Sequence, residues 1–134
     1  MITMKYTKAI EMILEKTGTG FSAYSPEYPF FTTATTIPEL LDNAYEASCL
    51  YFEEQAIQVS HENIKFTIDF EQFFKYFRVL NAKFLAKRIG MHPTLLSQYI
   101  QGRKKPTEKQ TQKILLGIHQ IGRELASIEL SKNE

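Results

Sequence analysis

Residues 81–106, NAKFLAKRIGMHPTLLSQYIQGRKKP, constrain the fold of this chain more than any other segment. Gly90 stands between two short amphipathic patterns and can adopt the positive φ that a sharp turn requires. Pro93 suits the first turn of a second helix, because proline lacks the amide hydrogen that a helix N-terminus leaves unpaired. The segment therefore predicts two short helices joined by a tight turn.

The apolar residues of this segment share one face of each predicted helix. They are Leu85, Ala86 and Ile89 before the glycine, Met91 in the turn, and Leu96 with Tyr99 or Ile100 after it. Ala86 is small where a crossing helix must approach closely, and Met91 is placed to fill the angle between the helices. The two helices are therefore expected to cross as a helix-turn-helix.

The other face of the second predicted helix is polar. It carries His92, Thr94, Ser97, Gln98 and Gln101. A helix lying in the major groove offers donors and acceptors to base edges from its first turns. Arg103, Lys104 and Lys105 follow at once, in a loop where cations would contact phosphates. The pattern predicts a DNA-binding surface.

Charge is distributed unequally along the chain. Residues 1–72 hold four Lys/Arg and eleven Asp/Glu, a net charge of −7, whereas residues 73–134 hold twelve and four, a net charge of +8. A basic half around a helix-turn-helix is the expected electrostatic signature of phosphate binding. The acidic half is expected to face away from DNA or toward a basic partner.

Composition indicates a cytoplasmic protein. No apolar run is long enough to cross a bilayer, and Lys5, Lys8 and Glu11 interrupt any signal-peptide core. Cys49 is the only cysteine, so no internal disulfide can form. The 134 residues suffice for one ordinary domain or two small ones.

The N-terminal half predicts a sheet covered by a helix. Alternating apolar residues predict strands near residues 6–14, 21–24, 30–35 and 64–68, with Thr17–Gly20 as a hairpin turn. Thr36 and Glu39 form a capping box before a helical pattern that runs to about Glu54. We therefore expect an α+β fold, with a βββαβ unit in residues 1–69 and an all-α domain in residues 70–134, whose first helix begins at Phe70.

Residues 81–106 resemble the helix-turn-helix of the Xre/Cro-like repressor family, with LAKRIGM on the first helix, LSQYI on the second and GRKKP in the following loop. Ala82 stands where the family usually has a glutamine that binds a phosphate. Asn81 or Lys83 would have to supply that contact. The resemblance implies a repressor that binds operator DNA.

Residues 5–70 resemble the HicB antitoxin family, which has a partial RNase H-like sheet. The matching segments are Pro26-Glu27-Tyr28-Pro29 and Thr36-Ile37-Pro38-Glu39-Leu40, although Phe30 replaces the usual glycine after the second proline. The resemblance implies an antitoxin of a HicAB-like pair, which inhibits a small HicA-like ribonuclease through residues 1–69 and represses its own operon through residues 70–134. The toxin-binding residues are expected to include Tyr28, Phe30, Phe31, Glu39, Asp42 and Glu46.

Three further expectations concern partners and chemistry. A single recognition helix reads few bases, so we expect a homodimer or higher oligomer on an inverted repeat, with the part of the last helix beyond Gly117 as a dimer contact. The histidines and carboxylates lack metal-ligand or catalytic spacing, so no metal, cofactor or enzymatic activity is expected. The alternative function is a one-component transcriptional regulator whose N-terminal unit senses a small molecule or dimerises.

Overall fold

A computed structural model describes residues 4–132 of the chain. It confirms the α+β class, with an N-terminal sheet-and-helix unit and a C-terminal helical unit. The two compact units divide between Tyr76 and Phe77.

Within residues 4–76, the first unit contains six strands and two helices. In chain order these are β1 (Met4–Lys5), β2 (Ile10–Lys16), β3 (Phe21–Tyr24), β4 (Phe31–Ala34), α1 (Ile37–Phe52), β5 (Ile57–Gln58), β6 (Ile64–Ile68) and α2 (Phe70–Tyr76), with short 3-10 turns at Glu53–Gln55 and His61–Asn63. The main sheet has the order β4-β3-β2-β6, in which only the β2–β6 pair is parallel. The predicted βββαβ order is confirmed, and a small parallel β1–β5 pair adds to it.

Side-chain alternation explains which face of the sheet is buried. Ile10, Met12 and Leu14 of β2 are buried, while Glu11 and Glu15 point to the other face and are exposed. Helix α1 covers the apolar face with Leu40, Ala44, Ser48 and Phe52. The Thr36 hydroxyl begins α1 by accepting the Glu39 N–H at 3.2 Å, as its capping pattern predicts.

Helix α2 belongs to the first unit. Its Phe74 is buried, and the ring of Tyr76 meets the ring of Phe21 edge to face at a centroid distance of 4.9 Å. The structure differs here from the expected assignment of this helix to the DNA-binding domain, because Phe74 and Tyr76 pack within the first unit. The boundary lies seven residues later than the one expected after Asp69.

The second unit is built from α3 (Ala82–Ile89), α4 (Pro93–Ile100) and α5 (Glu108–Ala126). Leu85, Ala86, Met91, Leu96 and Ile114 form its buried centre. Helix α5 approaches α3 closely at Gly117, where an added Cβ would lie 2.3 Å from Ile89 Cγ2.

Over residues 4–132, none of the helices combines the length and apolar content that a bilayer crossing requires.

Candidate functional site

The turn between α3 and α4 has the geometry that the sequence predicts. Gly90 adopts φ 69°, and the Met91 N–H donates to the Ala86 carbonyl at 2.8 Å. Met91 and Leu96 are buried at the crossing, and Pro93 is the first residue of α4. These contacts fix the direction in which α4 presents its polar face.

Two polar side chains serve as the N-terminal caps of α3 and α4. The Asn81 side-chain oxygen accepts the Phe84 N–H at 3.1 Å at the start of α3. The His92 ring accepts the Thr94 N–H through Nδ1, also at 3.1 Å, at the start of α4. Because Asn81 is engaged in its cap, the exposed Lys83 is the better placed of the two residues to contact a phosphate.

The polar face of α4 lies open to solvent in a shallow groove of about 480 Å³. The groove is lined by Ala82, Lys83, Pro93, Thr94, Ser97, Gln98, Gln101 and Arg103. Thr94 and Gln101 are exposed, whereas Ser97 and Gln98 are half-buried. The Gln101 side chain donates to Ser97 Oγ at 3.3 Å, which orients both polar groups on the same face.

The basic loop folds back onto the end of α4. The backbone N–H groups of Arg103 and Lys104 donate to the Gln98 carbonyl at 2.9 and 3.3 Å. Arg103 therefore lines the groove, and Lys104 and Lys105 are exposed beside it. The sequence did not predict a DNA contact for Ala82 or Pro93, whose apolar surfaces line this groove and would suit contact with thymine methyl groups.

The residues expected to bind a protein partner fall into two groups. Tyr28 and Phe30 are half-buried and pack against the core of the first unit. Their rings stack at 6.0 Å, and both contact Tyr51. The packing of these two side chains therefore holds residues 26–31 against the core of the first unit.

The hydroxyls of Tyr28 and Tyr6 lie 2.8 Å apart and share a hydrogen bond. This bond, together with partial burial, raises the pKa of Tyr28 to about 12. The phenol therefore stays protonated throughout the neutral range.

The other expected partner residues are exposed. Phe31 lies on edge strand β4, while Glu39, Asp42 and Glu46 lie along the outer side of α1. Asp42 Oδ1 lies 3.3 Å from His61 Nε2, and the His61 ring stacks on Tyr45 at 3.9 Å. No Lys or Arg occurs between Lys16 and Lys65, so the carboxylates of α1 and its flanks are not balanced by any lysine or arginine in this part of the sequence.

Two apolar features near these residues were missed at the sequence level. Leu50 is exposed one turn after Glu46, on the same side of α1. Ile13, Tyr24 and Phe31 are paired in register across β2, β3 and β4, on the sheet face opposite α1. Alternation in β2 could have revealed Ile13 as outward-facing, but the register of three strands cannot be read from one sequence.

Comparison of the chain with protein-family models, with curated proteins and with solved structures finds no match. Within residues 4–132, no three His, Cys, Asp or Glu side chains converge in an arrangement that could hold a metal ion.

Proposed function

We propose that the protein is a DNA-binding repressor, with α4 as the helix that enters the major groove. The observation that carries this proposal is the open polar face of α4, in a groove that Lys83 and Arg103 also line. Base edges would be read by Thr94, Ser97 and Gln98, and phosphates would be held by the cations. The resemblance to Xre/Cro-like repressors supports this assignment.

A repressor of this kind binds as a dimer to an inverted repeat, because α4 is short and reads few bases. The C-terminal half of α5 provides the apolar surface for that dimer. Ile114 is buried within the unit, whereas Leu125 and Ile128 at the end of the stripe are exposed.

We also propose that the first unit is an antitoxin domain that binds a basic ribonuclease. The acidic outer side of α1 and the exposed ring of Phe31 support this proposal, since a protein that binds RNA is expected to be basic. The resemblance to HicB antitoxins points in the same direction. Asp42 and Glu46 are the residues through which we expect the ribonuclease to be steered.

The repressor function is tested by gel shifts on the operon's own promoter. Replacing Arg103, Lys104 and Lys105 by Ala should abolish retention of the DNA, because three phosphate contacts are lost. The matched control replaces Lys5, Lys8 and Lys65, which are also exposed, and should retain the DNA. Equal retention by the two triple variants would reject the placement of the loop on phosphates.

The antitoxin function is tested by co-expression with the adjacent open reading frame in a growth assay. The fragment ending at Tyr76 should suppress toxicity, because the first unit ends there. The double variant Asp42→Lys and Glu46→Lys should lose suppression, whereas Glu15→Lys and Glu71→Lys should keep it. A neighbour that is not toxic, or is not bound in a pull-down, would favour the one-component regulator.

A further inference from the structure

The second unit leaves an apolar groove open between α3 and the second half of α5. The groove has a volume of about 760 Å³, and its apolar lining is formed by Val79, Leu80, Phe84, Leu85, Ile121 and Leu125, with Asn81 as an uncharged polar residue. Phe84 is 62% exposed and Leu125 is 67% exposed. Soluble proteins seldom leave neighbouring large apolar side chains this open without a partner.

The rim of this groove is cationic. Lys87 and Arg88 border it, and both are exposed. Arg88 pairs with Glu124 of the same chain, and Lys87 Nζ lies 6.0 Å from the centre of the Phe84 ring. The groove therefore suits an apolar segment that also carries a negative charge.

The segment that follows α5 has this character. Ile128 is 62% exposed and Leu130 is 92% exposed, with Glu129 between them. An extended strand places Ile128 and Leu130 on one side, because side chains alternate at a period of two. Ile128, Glu129 and Leu130 thus supply the apolar and negatively charged side chains that the groove suits, and they follow the groove residue Leu125 closely in the sequence.

The segment does not fill the groove of its own unit. The Ser127 and Ile128 N–H groups donate to the carbonyls of Glu124 and Leu125 at 3.1 and 3.4 Å, which ties the start of the segment to the last turn of α5. Leu125 itself lines the groove, so the chain would have to reverse direction within two or three residues and lose these bonds to fold back. A segment from another molecule meets no such restriction.

We propose that the groove receives the Ile128–Leu130 segment of a second copy of this chain, by reciprocal exchange. Each copy then contributes one segment and one groove, which closes the assembly as a two-fold dimer. Ile128 and Leu130 pack against Phe84 and Leu125 of the other copy, and Glu129, which alternation places on the opposite side of the segment, lies at the rim toward the Lys87 ammonium. This inference deepens the dimer of the proposed function by naming the surfaces that form it.

The test measures the oligomeric state of the full chain without DNA, by sedimentation over a range of concentrations. Leu130→Asp and Ile128→Asp should each weaken dimerisation by about tenfold or more, because a charge replaces a side chain buried only in the dimer. Ser131→Asp adds the same charge next to the apolar pair and should leave the dimer intact. Helix content by circular dichroism should be unchanged, since all three positions are exposed.

A charge swap tests the orientation of the segment. Glu129→Lys and Lys87→Glu should each weaken the dimer by a smaller factor, because exposed ion pairs contribute little. The two changes together should restore it. A chain that is monomeric at all concentrations, or a Leu130→Asp dimer as tight as the wild type, would overturn the inference.

The proposed function is tested separately from the exchanged segment. If the Leu130→Asp variant dimerises as tightly as the wild type and still shifts promoter DNA, only the exchange of the segment is rejected. Promoter retention by the Arg103, Lys104 and Lys105 triple variant would reject the DNA-binding face, whatever the oligomeric state.

Discussion

Gly117 of α5 lies directly against Ile89 of α3, so closely that a Cβ at residue 117 would be 2.3 Å from Ile89 Cγ2. This approach holds α5 against the helix-turn-helix pair. We expect Gly117→Ala to lower the free energy of unfolding by about 1–3 kcal/mol, because a methyl group overpacks the contact. Chemical denaturation of the full chain measures this change.

Gly122 provides the matched control in the same helix. An added Cβ there meets nothing within 4 Å, so Gly122→Ala should raise the free energy of unfolding by about 0.5–1 kcal/mol through helix propensity alone. Equal effects of the two substitutions would show that the α3–α5 approach is less tight than described.

Ala56 is expected to be a strained position. It adopts φ 54° after the 3-10 turn Glu53–Gln55, in the left-handed region that favours glycine. Ala56→Gly should therefore raise the free energy of unfolding by up to about 1 kcal/mol. The same substitution at Ala47, within α1, should lower it by about 1 kcal/mol. Thermal unfolding of both variants tests the difference in sign.

The Tyr28 hydroxyl is expected to make stability depend on pH in the alkaline range. Its pKa is raised to about 12 by the hydrogen bond with Tyr6 and by partial burial. The folded state therefore holds this proton more tightly than the unfolded state, whose tyrosines titrate near the ordinary value of about 10. The resulting stabilisation is fully present below that value and is lost as the pH rises through about 12.

Urea unfolding at a series of alkaline pH values measures this loss. Tyr6→Phe removes the hydrogen-bond partner, so it should lower the pKa of Tyr28 and shift the loss of stability to lower pH. A pH profile identical to that of the wild type would contradict the coupling between Tyr6 and Tyr28.

The groove on α4 predicts two classes of DNA-binding variant. Gln98→Ala should reduce discrimination between bases by about 1–3 kcal/mol, because a side chain that reads base edges is removed. Arg103→Ala should weaken binding to all sequences alike and reduce the salt slope by about one. Titrations against matched and scrambled duplexes at several salt concentrations separate the two. If Arg103→Ala lost base preference and Gln98→Ala kept it, Arg103 rather than Gln98 would be the residue that reads base edges.

Local sequence signals predicted much of the architecture, because each has a direct physical cause. Gly90 predicted the turn, because the turn requires a positive φ that glycine adopts without strain. Thr36 predicted the start of α1, because its hydroxyl accepts a hydrogen bond from a backbone N–H of the first turn. The period-two pattern in residues 64–68 gave strand β6 with its observed bounds.

Tertiary packing explains what the sequence did not predict. The aromatic pattern of α2 in the sequence is compatible with packing in either unit. Contacts such as that of Tyr76 with Phe21 assign the helix to the sheet. Tyr28 and Phe30 were expected to bind a partner, and the sequence did not predict that the path of their loop turns both rings toward Tyr51. The Ala82 surface in the α4 groove likewise depends on how α3 and α4 cross.

Selection of bound duplexes from a random DNA pool tests most directly whether α4 lies in the major groove of paired half-sites. The full-length protein should enrich an inverted repeat with half-sites about one duplex turn, or a multiple of it, apart. A variant with Thr94, Ser97 and Gln98 replaced by Ala should lose that preference. A pool in which no sequence is enriched, or the same motif enriched by the variant, would contradict the assignment of α4 as the reading helix.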